Sequence, residues 1–374
     1  MVDESPIEAL TVQADLSAPT PRALKVGWVA APGTLERFGR VHQPLAIGLM
    51  DEMVAVTAVH PVGADLRQLP TPPILTAEYR PKHLLTRWPP VVDELAAMLK
   101  GHKLDMLHAL EAPAIELTSR LAEALNLPYV VSSYALGDSK KIRRAHVPPR
   151  AVLAASTAIM KALRRGASLP SGVIHLLRPG VYQVRQATCF NEAQYSVTIV
   201  VGGRLDDLHA HTAVVKAFNE LRSRNYDCIF FILGSGKAER QIRAQADRMA
   251  MRQWLTFADA QPLWELPGIF KSTDVYISPV PSSALDIECL LAMAAGVPVL
   301  ACAEGAADFI RNGQTSLMYN KDDWKDLAQK LVSLLDDHAY AQGVAHSALA
   351  YLRENHSAAG MVQQMSKIYR SILE

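Results

Sequence analysis

Residues 196–236 read SVTIVVGGRLDDLHAHTAVVKAFNELRSRNYDCIFFILGSG, and this stretch decides the fold. Ser196–Val201 is a β-branched apolar run without alternation, the pattern of a strand buried on both faces. Gly202 and Gly203 end it. Ala213–Arg224 repeats apolar residues at helical spacing, through Val214, Val215, Phe218 and Leu221. Cys228–Leu233 is a second continuous apolar run, stopped by Gly234. Buried strand, helix and buried strand in succession form a parallel βαβ unit.

The same alternation runs in both directions. Downstream, Leu255–Phe257, Asp274–Ile277 and Pro298–Ala301 read as strands, each followed by a helical pattern. Upstream, Val26–Ala31 reads as a strand ending at Pro32-Gly33, followed by a helix over Arg40–Glu52 and a strand over Val54–Val59. Leu104–Leu107, a helix over Ala114–Leu125, and strands at Pro128–Ser132, Val152–Ala155 and Val173–Leu177 complete this series. Between the two series Ala187–Gln194 is polar and has no period. The chain therefore divides into an N-terminal arm (1–22), a first unit (23–185), a second unit (186–355) and a last helix (356–374). The expected class is α/β, with two doubly wound, Rossmann-like domains facing across a cleft. Such sheets bind ligands beyond the carboxyl ends of their strands, which puts a ligand between the two domains.

Bulk properties agree with this division. A chain of 374 residues is longer than a single core usually supports. Lys plus Arg is 38 and Asp plus Glu is 37, a net charge of +1, so no global field points to nucleic acid. Cys189, Cys228, Cys289 and Cys302 are far apart with no CxxC pair, which reads as buried thiols in a reducing compartment. No ligand spacing for a metal is present. The first residues carry acids and lack an apolar core, unlike a signal peptide. No run approaches the ~20 apolar residues a membrane span needs. A cytoplasmic location is expected. Lys140, Lys141, Arg143 and Arg144 form a basic run, read either as a contact with the inner membrane face or as a solvated loop.

Several motifs carry a family resemblance from about Ala151 onward. Leu177–Val181 (LRPGV), Val201–Leu205 (VGGRL), Leu233–Gly236 (LGSG), Ala292–Val299 (AMAAGVPV), and Glu304-Gly305 with Asn312–Thr315 (NGQT) occur in the order and spacing of glycosyltransferase family 4. The C-terminal half resembles that family of retaining GT-B enzymes. Gly33 and Asp105–His108 resemble its acceptor domain more loosely, and the last helix, with Tyr369, resembles the segment that returns to the first domain.

The resemblance implies a nucleotide-sugar donor held in the C-terminal half, usually without metal, and a saccharide or lipid-linked acceptor. No other cofactor is expected. Cations and amides at a helix N-terminus would meet the diphosphate charge as the sugar bond breaks. Arg204 matches the family arginine. The expected site is Arg204 and His209 as catalytic groups, Gly203, Gly236 and Glu288 around the nucleotide and phosphate, and Gly33 and His108 on the acceptor side. Arg204 has an alternative reading as a surface residue paired with Asp206 or Asp207.

The sequence departs from the family at several of these positions. His209 stands where the family has lysine, and a neutral imidazole supplies little charge. Ser283 and Leu291 stand where it has two glutamates. Ser283-Ala284-Leu285-Asp286 reads as a capping box with Ser283 as N-cap. The helix would then be capped from within, and Asp286 and Glu288 would bring negative charge towards a diphosphate. Like charges about 4 Å apart repel by roughly 4 kcal/mol at an effective dielectric near 20. Glu288 has a second reading, as a displaced carboxylate for the ribose. Two functional readings follow: a transferase with a remodelled donor site, a uridine-linked donor being one option, or a catalytically degenerate homologue acting as scaffold, partner subunit or ligand sensor.

Overall fold

The computed structural model describes residues 22–67, 69–70, 74–81, 88–166, 169–191, 196–303 and 305–374. Most of the expected N-terminal arm (residues 1–21) and Glu304 lie outside these residues, as do 192–195 between the two expected units.

Two parallel sheets carry the fold. The first joins β1 (Leu24–Val29), β2 (Val54–Pro61), β3 (Leu75–Tyr79), β4 (Met106–Ala109), β5 (Tyr129–Ser133), β6 (Ala151–Ala154) and β7 (Ile174–Leu176) in the order β3-β2-β1-β4-β5-β6-β7. The second joins β8 (Val197–Val201), β9 (Cys228–Leu233), β10 (Leu255–Ala258), β11 (Val275–Ser278), β12 (Val299–Ala301) and β13 (Leu317–Met318) in the order β10-β9-β8-β11-β12-β13. Both orders reverse beside the first strand of the series, so each sheet has a switch point where strand ends splay apart.

Helices cover both sheets. In the first half these are α1 (Thr34–Asp51), α2 (Trp88–Lys100), α3 (Ile115–Leu125), α4 (Ser139–Ile142) and α5 (Thr157–Gly166). In the second they are α6 (Leu208–Ser223), α7 (Glu239–Arg248), α8 (Leu266–Phe270), α9 (Ile287–Ala294), α10 (Trp324–Asp336) and α11 (His338–Asn355), followed by α12 (Ala358–Leu373). The strands read as continuous apolar runs because both faces are buried; Val26, Trp28 and Val29 on β1 and Ile199, Val200 and Val201 on β8 are almost wholly enclosed.

The last helix belongs spatially to the first sheet. α12 packs on α1, and a Cβ on Gly48 of α1 would lie 2.5 Å from Val362 of α12. Tyr369 is fully buried; its hydroxyl accepts from Trp28 Nε1 on β1 at 3.1 Å. Among the described residues no helix is long and apolar enough to cross a membrane. All four cysteines are buried free thiols.

Candidate functional site between the sheets

The turn after β8 is built to lie close to what is beneath it. A Cβ at Gly202 would fall 2.1 Å from Tyr276 Oη and 2.5 Å from Glu288 Oε2, so only glycine allows this approach. Gly203 follows with φ 109, a conformation glycine adopts without steric cost. The turn after β9 packs on the same place: a Cβ at Gly234 would lie 2.1 Å from the Gly203 carbonyl, and one at Gly236 2.4 Å from Leu205. The two glycine turns expected at the donor site are thus one interlocked unit.

Arg204 projects from this unit into solvent, with its side chain 82% exposed and Nε donating to Asp206 at 2.7 Å. Asp206 also accepts the Lys237 amide at 3.0 Å; that amide, and then Arg204, hold its carboxyl below the usual range. Arg204 is therefore paired with Asp206, as its alternative reading expects, while its side chain stays exposed. His209 is exposed on the first turn of α6. Its neighbour His211 is buried, with Nδ1 2.7 Å from the Asp207 carbonyl. Asp207 caps α6 through the Ala210 amide and binds Lys321 Nζ at 2.9 Å. Lys321, from the segment between β13 and α10, brings a cation to the head of α6. Its position 112 residues from His209 left no local signal to find it by.

The β11–α9 turn corrects the expected cap. The N-cap is Asp286, not Ser283: Asp286 Oδ1 accepts the Cys289 amide at 3.0 Å, and Oδ2 accepts Ser278 Oγ at 3.0 Å. Residues 283–285 pair with the first domain instead. The Leu136 amide donates to the Ser283 carbonyl at 2.8 Å and the Leu285 amide to the Tyr134 carbonyl at 2.7 Å, around an antiparallel bridge between Ala135 and Ala284. The helix is still capped from within, by a residue three positions later. Leu291 is buried.

Glu288, in the first turn of α9, turns its carboxylate inward. Oε2 accepts Tyr276 Oη at 2.9 Å, and the Gly203 amide lies against the same carboxylate. Burial, then the charge of Asp286, push this carboxyl up to about 7. It therefore lies beneath the glycine turn, where the ribose reading of Glu288 would need it to open outward.

On the first sheet, Gly33 is the N-cap of α1 with φ 76 and no side-chain cap. Thr34 Oγ1 donates to Glu111 Oε1 at 2.7 Å, and Arg37 forms an ion pair with the same carboxylate. Arg37 is half exposed, whereas Glu111 is buried. These residues, and Glu111 in particular, carried no motif. His108, expected on the acceptor side, does not reach the surface. It is 1% exposed, with Nδ1 2.6 Å from Tyr369 Oη and Nε2 2.8 Å from Ser132 Oγ. Its position on β4, in the middle of the sheet, directs it into the core, where it links α12 to β5.

The halves also meet away from the β-bridge. Arg40 of α1 donates to the Trp264 carbonyl at 2.7 Å, and the Arg67 guanidinium lies 4.2 Å over the Trp264 ring. Ser156 Oγ donates to the Ala306 carbonyl, and Asp308 accepts from Thr157 and Arg178. Among the described residues no group of three or more His, Cys, Asp or Glu side chains could hold a metal.

Residues 196–337, which contain both glycine turns, Asp286 and Glu288, match the family model described as glycosyl transferases group 1. This stretch is similar to group 1 glycosyltransferase domains. Among curated relatives, this glycosyltransferase-like protein is 32% identical over 146 residues to the D-inositol 3-phosphate glycosyltransferase of Arthrobacter sp. (strain FB24), covering 38% of this chain and 35% of that one. It is 21% identical over 175 residues to the capsular polysaccharide biosynthesis glycosyltransferase CapM of Staphylococcus aureus, covering 46% of each. It thus spans less than half the length of these relatives. The glycosyltransferase-like chain also superposes on HepE of Anabaena in complex with UDP and glucose, with a TM-score of 0.74 at 15% identity over 93% of this chain and 100% of that one. Sucrose-phosphate synthase from Thermosynechococcus elongatus gives 0.75 at 16% identity, over 93% and 99%. At these identities the likeness shows the fold, GT-B, with its two Rossmann-like domains.

Proposed function

We propose that this protein is a retaining glycosyltransferase that moves a sugar from a nucleotide-sugar donor to a saccharide or lipid-linked acceptor. The observation that carries the reading is Arg204, exposed at the end of β8 on the double-glycine turn of a group 1 domain. A guanidinium there can take two oxygens of a leaving diphosphate and stabilise the charge that develops as the glycosidic bond breaks. Relatives act on D-inositol 3-phosphate or, in Mycolicibacterium smegmatis, use GDP-mannose, and HepE binds UDP; these make UDP and GDP the first donors to test.

Within this reading, Gly203 and Gly236 let the donor approach the backbone, Lys321 adds charge at the head of α6, and His209 assists as a hydrogen-bond donor. Gly33 leaves α1 open at its N-terminus on the acceptor side. No metal or further cofactor is part of the mechanism. The basic side chains Lys140, Arg143 and Arg144 on and beside α4 are exposed, and Lys141 is 52% exposed while paired with Asp138. They support a peripheral contact with an anionic membrane, where a lipid-linked acceptor would lie.

The test is turnover and binding together. Calorimetry with UDP, GDP and ADP identifies the donor class, and Arg204→Ala is expected to lower turnover ~100-fold or more with the fold intact. Full activity in Arg204→Ala would remove this residue from the mechanism. Failure to bind any of the three nucleotides would favour the scaffold or partner-subunit reading.

A further inference from the structure

The Gly202-Gly203 turn rests on a carboxylate. Glu288 reaches it from the first turn of α9, accepts the Tyr276 hydroxyl at 2.9 Å and lies against the Gly203 amide. The contact is direct, since a Cβ at Gly202 would come within 2.5 Å of Glu288 Oε2. The next residue, Arg204, is the guanidinium assigned above to the diphosphate.

We propose that Glu288 is an internal counter-charge of the donor turn: from beneath Gly202 its carboxylate opposes the nucleoside diphosphate, so that donor binding draws one proton from solvent onto the Glu288 carboxylate. The proposal rests on the reading of this turn as the donor site. An ionised Glu288 repels an incoming diphosphate, and a protonated one does not. When protonated it keeps a hydrogen-bonding partner in Tyr276, so the neutral form is not left unsatisfied.

The groups around Glu288 favour an exchangeable proton there. Tyr276 faces it from β11, and Asp286 and Cys289 from α9 and its cap. Arg204 and Asp206 on the turn itself are paired with each other. The helices packed on α9 contribute apolar side chains to the same core, Leu266 and Phe270 from α8, and Ala348 and Leu352 from α11. No cation compensates the carboxylate from these positions. Burial and Asp286 accordingly raise its pKa to about 7.

The experiment titrates UDP, GDP and ADP into the full-length protein between about pH 7 and 8.5, in two buffers of different ionisation enthalpy. A nucleotide's terminal phosphate, with a second pKa of about 6, is ionised throughout this range. The expected result is uptake rising from about half a proton per nucleotide at pH 7 towards one at pH 8.5, with a Kd that weakens by a factor approaching ~10-fold per pH unit at the upper end. Glu288→Gln should bind with no proton uptake and a flat pH profile. Tyr276→Phe, which removes a hydrogen bond that favours the ionised form, should shift the weakening to higher pH without abolishing it; it carries the test if Glu288→Gln does not fold. Flat, proton-neutral binding by the unmodified protein would overturn the coupling and leave the donor reading standing. Absence of binding in all three proteins at every pH would overturn the donor reading and the proposal with it.

Discussion

Two clusters of titratable groups, one in each half, differ in chemistry. In the first half these are imidazoles: His108 joins Ser132 and Tyr369, and His42 packs among Trp28, Phe38 and Tyr134. In the second they are carboxylates: Asp286 caps α9, and Glu288 supports the turn that carries Arg204. The topology at the two places is related, but the chemistry is not. Neutral imidazoles suit a structural junction, where α12 must be fixed to β1 and β4. Carboxylates beside a proposed diphosphate site have a different consequence: while ionised they repel the diphosphate.

The comparison also predicts opposite pH responses. Burial holds His42 and His108 down at about 3, and His356 at about 4. Their unfolded values are near 6.5, so the folded state resists protonation. Stability is complete above about pH 6.5 and is lost as pH falls towards the folded values. This acid limb is the largest effect expected. His42→Phe keeps a ring against Trp28, Phe38 and Tyr134 and removes one titration, so thermal unfolding between about pH 6 and 4 should become less steep. An unchanged limb would show that His42 does not drive it.

Glu288 acts in the other direction. Its carboxyl is raised from 4.5 to about 7 in the folded state. Its contribution is complete below about pH 4.5 and is lost as pH rises through 7. The loss is on the order of 3 kcal/mol, at roughly 1.4 kcal/mol per pH unit. Denaturant unfolding of Glu288→Gln should therefore gain on the unmodified protein between about pH 5 and 8. An equal difference at both pH values would mean that the carboxyl does not titrate on folding.

Asp286→Ala sharpens the contrast with the smallest effect. Loss of the N-cap should cost ~1 kcal/mol. The same change removes a charge that raises Glu288, so the Glu288 limb should move to lower pH. The two effects are read from one set of denaturant curves at several pH values.

Much of this was legible in the chain. Buried parallel strands must be apolar along their whole length, so Ser196–Val201 and Cys228–Leu233 announced themselves, and the glycine stops marked the turns that the structure interlocks. The α1 helix was read from Arg40 but begins at Thr34: the Gly33 cap, the buried Leu35 and Phe38, and an interior Pro44 obscured its period. Ser283 was read as a cap because local spacing allows it. Its backbone pairs instead with Leu136, a partner 147 residues away. His108 stands just past the expected strand Leu104–Leu107 and reads as an acceptor-side group. Only its neighbours Ser132 and Tyr369, 24 and 261 residues distant, satisfy both ring nitrogens and keep it inside.

The sequence by itself determined the α/β class, the doubled strand–helix series and the glycine turns, because each is fixed by local sterics or by residue identity. Tertiary structure decided the rest: which residue caps α9, that Lys321 approaches the head of α6, that His108 ties down the last helix, and that Glu288 faces the Gly203 turn. Those outcomes depend on hydrogen bonds and burial between residues far apart in the chain, and the charge state of a carboxyl group is set by which of those distant groups surrounds it.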